Sequence, residues 1–318
     1  MFWFMSALGL VILLLAGDAL VKGAVNLSLR MGIPALIVSL TIVAFGTSAP
    51  ELLISIKATL DGAPGIALGN VVGSNIANVL LVLGIPAMIS ALHTKDCHTE
   101  RNFVYMMIAT VVFVALAYTG QFGIWQGAIL LALMAYVLLS AMKDALAHRK
   151  DSKSCSVDVD DLEGADPSMP GWKIAMFLIL GLVGLPLGAD ILVDSATVIA
   201  RTYGVSETVI GLTLVAVGTS LPELATTVMA AIRKQADVAL GNVIGSNIFN
   251  LLAIIGVTTM VGTVPVDQSF LRFDLWVMLA ASALVFPFVI LKWNITRLWG
   301  LVLTLLYLAY VLVVISYT

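Results

Sequence analysis

Two segments of the chain repeat almost residue for residue, 172 positions apart. Residues 46–52 read Gly-Thr-Ser-Ala-Pro-Glu-Leu, and residues 218–224 read Gly-Thr-Ser-Leu-Pro-Glu-Leu. Residues 68–78 (Leu-Gly-Asn-Val-Val-Gly-Ser-Asn-Ile-Ala-Asn) return at 240–250 as Leu-Gly-Asn-Val-Ile-Gly-Ser-Asn-Ile-Phe-Asn. Each copy places a glutamate, hydroxyls and amides inside long apolar segments. Because buried polar groups without partners are costly, we expect both copies to serve a site.

The surrounding sequence is that of an integral membrane protein. Hydrophobic residues make up 60% of the chain and charged residues 11%, whereas a soluble domain carries about 25% charged residues. The pattern predicts an all-α protein with about ten transmembrane helices, each of about 20 residues. We place these spans near 2–22, 33–58, 65–91, 102–119, 122–146, 172–200, 205–232, 236–262, 272–292 and 296–316. The first span lacks a basic flank and a cleavage site, so we interpret it as retained.

The distribution of lysine and arginine predicts the orientation. With the N-terminus outside, inner loops hold 13 of the 16 basic residues. The outer loops hold only Lys57, Arg201 and Arg272. Since basic residues favour the cytoplasmic side, both termini are expected to be extracytoplasmic in a multi-pass protein of the inner (plasma) membrane.

Five spans in each half make the second half enter the membrane upside down. The sequence therefore predicts two inverted five-helix repeats, at 1–146 and 171–318, joined by a cytoplasmic linker at 147–170. The repeat also aligns Asp18 with Asp190, Thr41 with Thr213 and Ala44 with Ala216. The last two spans of each half show no obvious polar signature, and we expect them to be lipid-facing scaffold.

The linker carries basic residues first and then five acids, Asp158, Asp160, Asp161, Glu163 and Asp166. It lacks the glycine and glutamate spacing of an EF-hand loop. A solvated acidic tether is the favoured interpretation, with a cation sensor as the alternative.

Pro50 predicts a broken helix in span 2. It has no N–H, and its ring clashes with the carbonyl of Gly46, four residues earlier. Gly46, Thr47 and Ser48 weaken the helix further. Carbonyls from Ala44 to Thr47 are then expected to lose their helical donors and to need another partner. Residues 216–223 repeat this arrangement in span 7, so each half pairs a helix break with a glutamate.

The second motif adds neutral oxygens. Ser74 and Asn78 are four residues apart and share one helix face, while Asn70 and Asn75 fall at other angles. Gly69 and Gly73 are expected to let another helix approach closely. The matching set in the second half is Ser246, Asn250, Gly241 and Gly245.

Together these groups predict a site for a hard cation. Carboxylates, carbonyls, hydroxyls and amides are oxygen donors that suit Ca²⁺ or Na⁺, and no Cys or His lies in these segments to favour a softer metal. Two ionised glutamates carry a charge of about −2, which either one Ca²⁺ or two Na⁺ neutralises. Asp18, Asp190 and Asp194 lie near span ends, where a cap, a salt bridge or a cavity wall is the favoured role.

The two motifs and their copies strongly resemble the cation/Ca²⁺ antiporter superfamily, in its prokaryotic Na⁺/Ca²⁺ exchanger-like branch. The resemblance covers all ten spans. It implies a midplane site between spans 2, 3, 7 and 8, and a cycle in which spans 1 and 6 slide across the rest.

The resemblance also implies a role for each motif residue. Glu51 and Glu223, with the carbonyls of Thr47 and Thr219, would bind Ca²⁺. The flanking Na⁺ sites would use Ser48, Ser220, Ser74, Ser246 and the carbonyls of Ala44 and Ala216. Asn78 and Asn250 would line the middle. Several family members carry Asp where this chain has Asn250, which argues against K⁺ dependence here.

Secondary active exchange of Ca²⁺ for Na⁺ by alternating access is the resulting hypothesis, and H⁺-coupled Ca²⁺ antiport is its alternative. An enzyme is disfavoured, since no Asp pair or His-Glu-x-x-His motif suits catalysis. A passive channel is disfavoured because paired helix breaks suggest a closed site. Ca²⁺, Na⁺ and the lipid bilayer are the expected partners, with no cofactor, nucleic acid or protein partner.

Overall fold

The computed structural model describes residues 2–94, 97, 99–151, 166, 168–204, 216–268 and 270–317. Almost all of these residues are helical. The helices are α1 (Phe2–Met31), α2 (Ala35–Thr47), α3 (Ala49–Leu60), α4 (Pro64–Ile89), α5 (Glu100–Ala117), α6 (Ile124–Asp151), α7 (Gly171–Thr202), α8 (Ala216–Gly218), α9 (Leu221–Ile232), α10 (Ala236–Val261), α11 (Phe270–Val289) and α12 (Arg297–Tyr317).

The described helices match the predicted spans. Eight of them are long and apolar enough to cross a membrane, and the bent pair α2 and α3 brings the number to nine. The span predicted at 205–232 lies partly outside the described residues and is represented by α8 and α9. The prediction of an all-α, multi-span membrane protein is confirmed, and the inverted relation of its halves stays a prediction.

The predicted break in span 2 is confirmed. Helices α2 and α3 meet at an angle of 40°, and Ser48 between them leaves helical geometry with ψ of 2°. In the described part of span 7, α8 ends at Gly218 and α9 begins at Leu221. Wider π-helical turns occur at Ser39–Val43, Phe249–Ile254 and Phe270–Asp274. Such turns often accompany functional sites because they redirect side chains.

The buried apolar residues form two clusters. A large one unites α4, α5, α6, α10, α11 and α12 around residues such as Val72, Met106 and Phe288. A smaller one joins α1 and α7 to a few residues of α2 and α9. Helices α1 and α7 therefore pack mainly on each other, beside the rest of the bundle.

Glycines allow α1 and α7 to lie in close contact. A Cβ atom on Gly181 would lie 2.5 Å from the Cβ atom of Leu20, and one on Gly188 would lie 2.8 Å from the backbone nitrogen of Leu13. Backbones that approach this closely gain dispersion contacts, which are the main source of helix association inside a bilayer.

Two short contacts tie the loops together. Strand β1 (Gln121–Phe122) pairs antiparallel with β2 (Val264–Pro265). Asp166, at the end of the predicted linker, donates its backbone N–H to Asn26 Oδ1 at 2.8 Å. The linker acids at 158–163 lie outside the described residues, so the choice between a tether and a cation sensor stays open.

Candidate cation-binding site

The two glutamates occupy matching places, each in the first turn of the helix that follows a break. Glu51 is 1% exposed and Glu223 is 0% exposed. Pro50 and Pro222 stand just before them in the first turn, where the fixed φ of proline suits the start of a helix. The positive end of the helix dipole favours an anion at this position. The local sequence therefore places one carboxylate at each break.

The carbonyl oxygens at the first break depart from the prediction. The Ala44 carbonyl keeps its helical donor, since the Ser48 N–H donates to it at 3.0 Å. The Thr47 hydroxyl lies 3.3 Å from the same oxygen. The expectation that Ala44 loses its donor was therefore wrong, because the helix breaks only after Ser48. The carbonyl that Pro50 deprives of a donor is that of Gly46.

The site residues of the two halves contact each other. The Ser48 hydroxyl donates to Glu223 Oε1 at 3.0 Å, and the hydroxyls of Ser74 and Ser220 lie 3.4 Å apart. The Thr47 hydroxyl lies 3.4 Å from Asn242 Oδ1 and 3.5 Å from Ser246 Oγ. Hence each half supplies oxygens to one shared centre.

Several buried oxygens of the motif residues have no protein donor within the described part of the chain. They include both carboxylate oxygens of Glu51, the Oε2 atom of Glu223, and the side-chain oxygens of Asn78 and Asn250. Asn78 and Asn250 are both fully buried. Unpartnered oxygens of this kind are expensive in a low-dielectric interior, and a bound cation offsets that cost.

The described residues bring two buried acids, Glu51 and Glu223, to the centre. Among the residues that the structure describes, no group of three or more His, Cys, Asp or Glu side chains could hold a metal ion. Any cation bound here must draw most of its ligands from hydroxyls, amides and backbone carbonyls. Ca²⁺ accepts about six to eight such oxygens in flexible geometry. A donor set of this kind fits Ca²⁺ and Na⁺ better than a transition metal.

Asn70 and Asn242, one in each half, contact the backbone of the site glutamates, which the sequence motifs did not predict. Asn70 Nδ2 lies 3.4 Å from both the Glu51 carbonyl and the Ser55 hydroxyl. Asn242 Nδ2 lies 3.3 Å from the Glu223 carbonyl and 3.1 Å from Thr227 Oγ1. Each asparagine thus fixes the backbone of the glutamate in its own half. The repeated Leu-Gly-Asn triplet was the signal for this role.

A second asparagine pair connects the halves. Asn78 Nδ2 donates to Asn247 Oδ1 at 3.1 Å, and Asn247 Nδ2 lies 3.5 Å from the Asn75 carbonyl. Neither polar atom of the buried Asn75 side chain has a protein partner among the described residues. These contacts orient Asn78, whose free oxygen then remains available to a cation.

The glycines of the second motif allow close helix contact in the second half. A Cβ atom on Gly245 would lie 2.6 Å from the Leu40 carbonyl oxygen, and one on Gly241 would lie 3.0 Å from Ser39 Cβ. Among the described residues, a Cβ atom on Gly69 would meet only Phe270, at 3.7 Å, and one on Gly73 would meet nothing within 4 Å. The part of span 7 that corresponds to residues 36–43 lies at 208–215, outside the described residues, so close approach at Gly69 and Gly73 stays a prediction.

The space beside Gly69 and Gly73 is a cavity of about 480 Å³ that also reaches Asn70, Ser74 and Thr219. It lies between α3, α4, α11 and α12, toward the end of the bundle that carries the 61–63 loop. The site thus opens toward one side of the bundle, while α10 packs tightly against α2 at the matching place in the other half.

Asp18 forms ion pairs with Arg233 at 2.5 Å and with Lys22 at 2.9 Å. This agrees with the interpretation of Asp18 as a salt-bridge residue.

Asp274 corrects another expectation, because span 9 carries a polar signature after all. Its carboxylate accepts a hydrogen bond from the Tyr310 hydroxyl at 2.9 Å and lines the cavity.

The profile of the sodium/calcium exchanger protein family matches residues 1–143 and 173–316, which is most of the chain. The chain belongs to the sodium/calcium exchanger family. The resemblance inferred from the two motifs is thereby confirmed.

Several known proteins are similar to this one over nearly the whole chain. The sodium/calcium exchanger MaX1 of Methanosarcina acetivorans is 35% identical, over 96% of each chain. The inner membrane protein YrbG of Escherichia coli is 34% identical, over 90% of this chain and 87% of its own. The solved structure of the sodium-calcium exchanger NCX_Mj, soaked with Na⁺ and Sr²⁺, is 31% identical with a TM-score of 0.81 and covers 98% of this chain and 97% of its own.

Proposed function

We propose that this family member is a secondary active antiporter that exchanges Ca²⁺ for Na⁺. The observation that carries the proposal is a pair of buried glutamates with three carboxylate oxygens that lack a protein donor among the described residues. Hydroxyls of both halves meet beside them. The relatives named for sodium/calcium exchange add support.

The charge of the site explains why exchange is favoured over one-way binding. Two carboxylates carry about −2, which one Ca²⁺ or two Na⁺ neutralises. Ca²⁺ and Na⁺ therefore compete for the same negatively charged site, and binding of one displaces the other. Glu51 and Glu223, with the carbonyls of Thr47 and Thr219, are proposed as the Ca²⁺ ligands. The Na⁺ sites are assigned to Ser48, Ser220, Ser74, Ser246 and the carbonyls of Ala44 and Ala216, with Asn78 and Asn250 in the middle.

Alternating access is the proposed cycle. In this conformation a cavity reaches Ser74 and Thr219 from one side, and α10 packs closely on α2 through Gly245. Since the proposed halves are inverted repeats, exchanging their roles would open the site to the opposite side. Helices α1 and α7 pack mainly on each other. Such a pair could slide across the rest of the bundle and cover the site from either side in turn.

The proposed setting is the inner membrane, with both termini extracytoplasmic according to the distribution of basic residues. The cavity then opens outward. The proposed activity is transport, and it needs no cofactor, nucleic acid or protein partner.

Uptake of ⁴⁵Ca²⁺ into proteoliposomes tests the proposal. Vesicles loaded with Na⁺ are compared with vesicles loaded with choline or K⁺ at equal pH on both sides. We expect uptake only with internal Na⁺. Uptake that ignores Na⁺ and follows an imposed pH gradient would replace the proposal with H⁺-coupled antiport, and uptake without any opposing ion would indicate a channel.

A further inference from the structure

The cavity beside Gly73 extends well beyond the proposed ion ligands. Its volume of about 480 Å³ falls within the range of sites that hold a small organic molecule. One end is formed by Asn70, Ser74 and Thr219, and the other by apolar residues of α3, α4 and α12. A dehydrated inorganic ion needs far less space than this.

Most of the wall is apolar and part of it is aromatic. The aliphatic residues are Ile54, Ile66, Val311, Val314 and Ile315, and the aromatic ones are Phe270, Tyr307 and Tyr310. Phe273 stacks behind Tyr310 with ring centroids 6.1 Å apart and helps to fix that ring. Aromatic faces attract organic cations as well as apolar groups.

Among the described residues that line the same cavity, one carries a carboxylate, Asp274. It ends a π-helical turn at the start of α11 and is half-buried. The Tyr310 hydroxyl holds it with a hydrogen bond of 2.9 Å. In the part of the chain that the structure describes, no lysine or arginine pairs with Asp274. An acid inside a membrane-spanning segment points to a function, since it is costly there.

These features together define the ligand. One carboxylate attracts one positive charge, and the hydrocarbon and aromatic rings around it favour a cation with an apolar body. Ca²⁺ in particular would find too few of its about six to eight oxygens near Asp274.

We propose that the cavity between α3, α4, α11 and α12 binds an organic monocation with an apolar, aromatic body, whose ammonium or guanidinium group pairs with Asp274. The body lies against Ile66 and Tyr310 and fills the space beside Gly73. Building on the proposed function, such an occupant would hold the cavity open and block ion exchange from that side.

The test is calorimetric titration of the purified protein in lipid nanodiscs without Ca²⁺. The probe is 4-phenylbenzylammonium, and its neutral match is 4-phenylbenzyl alcohol. We expect the cation to bind at least about tenfold more tightly than the alcohol, because it alone pairs with the carboxylate. Asp274→Asn should abolish this preference, whereas Asp61→Asn, which neutralises an exposed acid, should preserve it.

Equal binding of the two probes by the unmodified protein would overturn the proposal and indicate a merely apolar pocket, as for a lipid chain. A preference that survives Asp274→Asn would overturn it as well. If Asp274→Asn does not fold, Ile66→Trp is used in its place. The Ile66 side chain lines the cavity and is 58% exposed, so the larger tryptophan should fill the cavity without disturbing the core. That variant should lose both probes, and unchanged binding would contradict the proposal. Failure of Na⁺-driven Ca²⁺ uptake would leave these titrations intact and affect only the proposed function.

Discussion

Ser48 donates a hydrogen bond of 3.0 Å to Glu223, but its counterpart Ser220 lies 3.4 Å from Ser74 instead. One of the two glutamates is therefore held by a hydroxyl of the opposite half, while neither carboxylate oxygen of Glu51 has a donor among the described residues. Residues that are equivalent in sequence are thus in different environments. The site and its surroundings lead to four predictions.

Glu51→Gln and Glu223→Gln should each reduce Na⁺-driven Ca²⁺ uptake by at least about 100-fold, since Ca²⁺ affinity depends strongly on the number of charged ligands. Glutamine keeps the size of the side chain and removes its charge. Uptake into Na⁺-loaded vesicles measures the effect, and Asp61→Asn at an exposed position is the control. Near-normal uptake by both glutamine variants, with size-exclusion profiles like the parent, would refute the assigned ligands.

Ser48→Ala should destabilise the ion-free protein more than Ser220→Ala does. It removes the donor to a fully buried carboxylate, and hydrogen bonds to charged groups contribute about 1.5–3 kcal/mol. Thermal unfolding in detergent without Ca²⁺ compares the variants. Ca²⁺ should narrow the difference, because the ion takes over the stabilisation of Glu223. Equal melting temperatures for the two variants would show that the Ser48 contact contributes little.

Gly245→Ala and Gly73→Ala should shift the protein in opposite directions. A methyl group at Gly245 would lie 2.6 Å from the Leu40 carbonyl oxygen, and such overpacking costs about 1–3 kcal/mol in the conformation described. A methyl group at Gly73 would meet none of the described residues within 4 Å, but it should obstruct a state in which another helix packs on this face. Both variants are expected to slow exchange.

Labelling of a cysteine at Ile66 with an impermeant maleimide separates the two glycine variants. The native Cys97 and Cys155 are first replaced by serine. Ile66 lines the cavity, so labelling should fall in Gly245→Ala and rise or hold in Gly73→Ala. The same direction of change in both variants would contradict alternating closure.

Breaking the ion pair between Asp18 and Arg233 should lower stability without altering ion selectivity. The side chains are only 20% and 17% exposed, so the cost should be about 1–2 kcal/mol, between those of exposed and buried pairs. Asp18→Asn is measured by thermal unfolding and by the KM for Ca²⁺. The double exchange Asp18→Arg with Arg233→Asp should recover part of the stability, and a large change in KM would instead place Asp18 in the ion path.

Much of the architecture could be predicted from local sequence. The apolar runs indicated the spans, and Pro50 with Gly46 indicated the break, because these signals depend only on backbone chemistry and on the thickness of a bilayer. The Gly73 and Asp274 environments could not be predicted this way. The local sequence around a glycine does not indicate whether a helix or a cavity lies beside it. Asp274 has its partner, Tyr310, on another helix, so the local sequence does not indicate that contact either.

By itself, the sequence determined that the chain is an all-α membrane protein with two equivalent polar motifs. The length of the apolar segments, the prolines and the repeat can each be recognised from residues that are close together in the sequence. Only the tertiary structure decided how those centres combine. Ser48 reaches Glu223 across a separation of 175 residues, and Tyr310 reaches Asp274 across 36. These contacts join residues that are distant in the sequence, so they depend on the packing of the whole bundle and not on local signals.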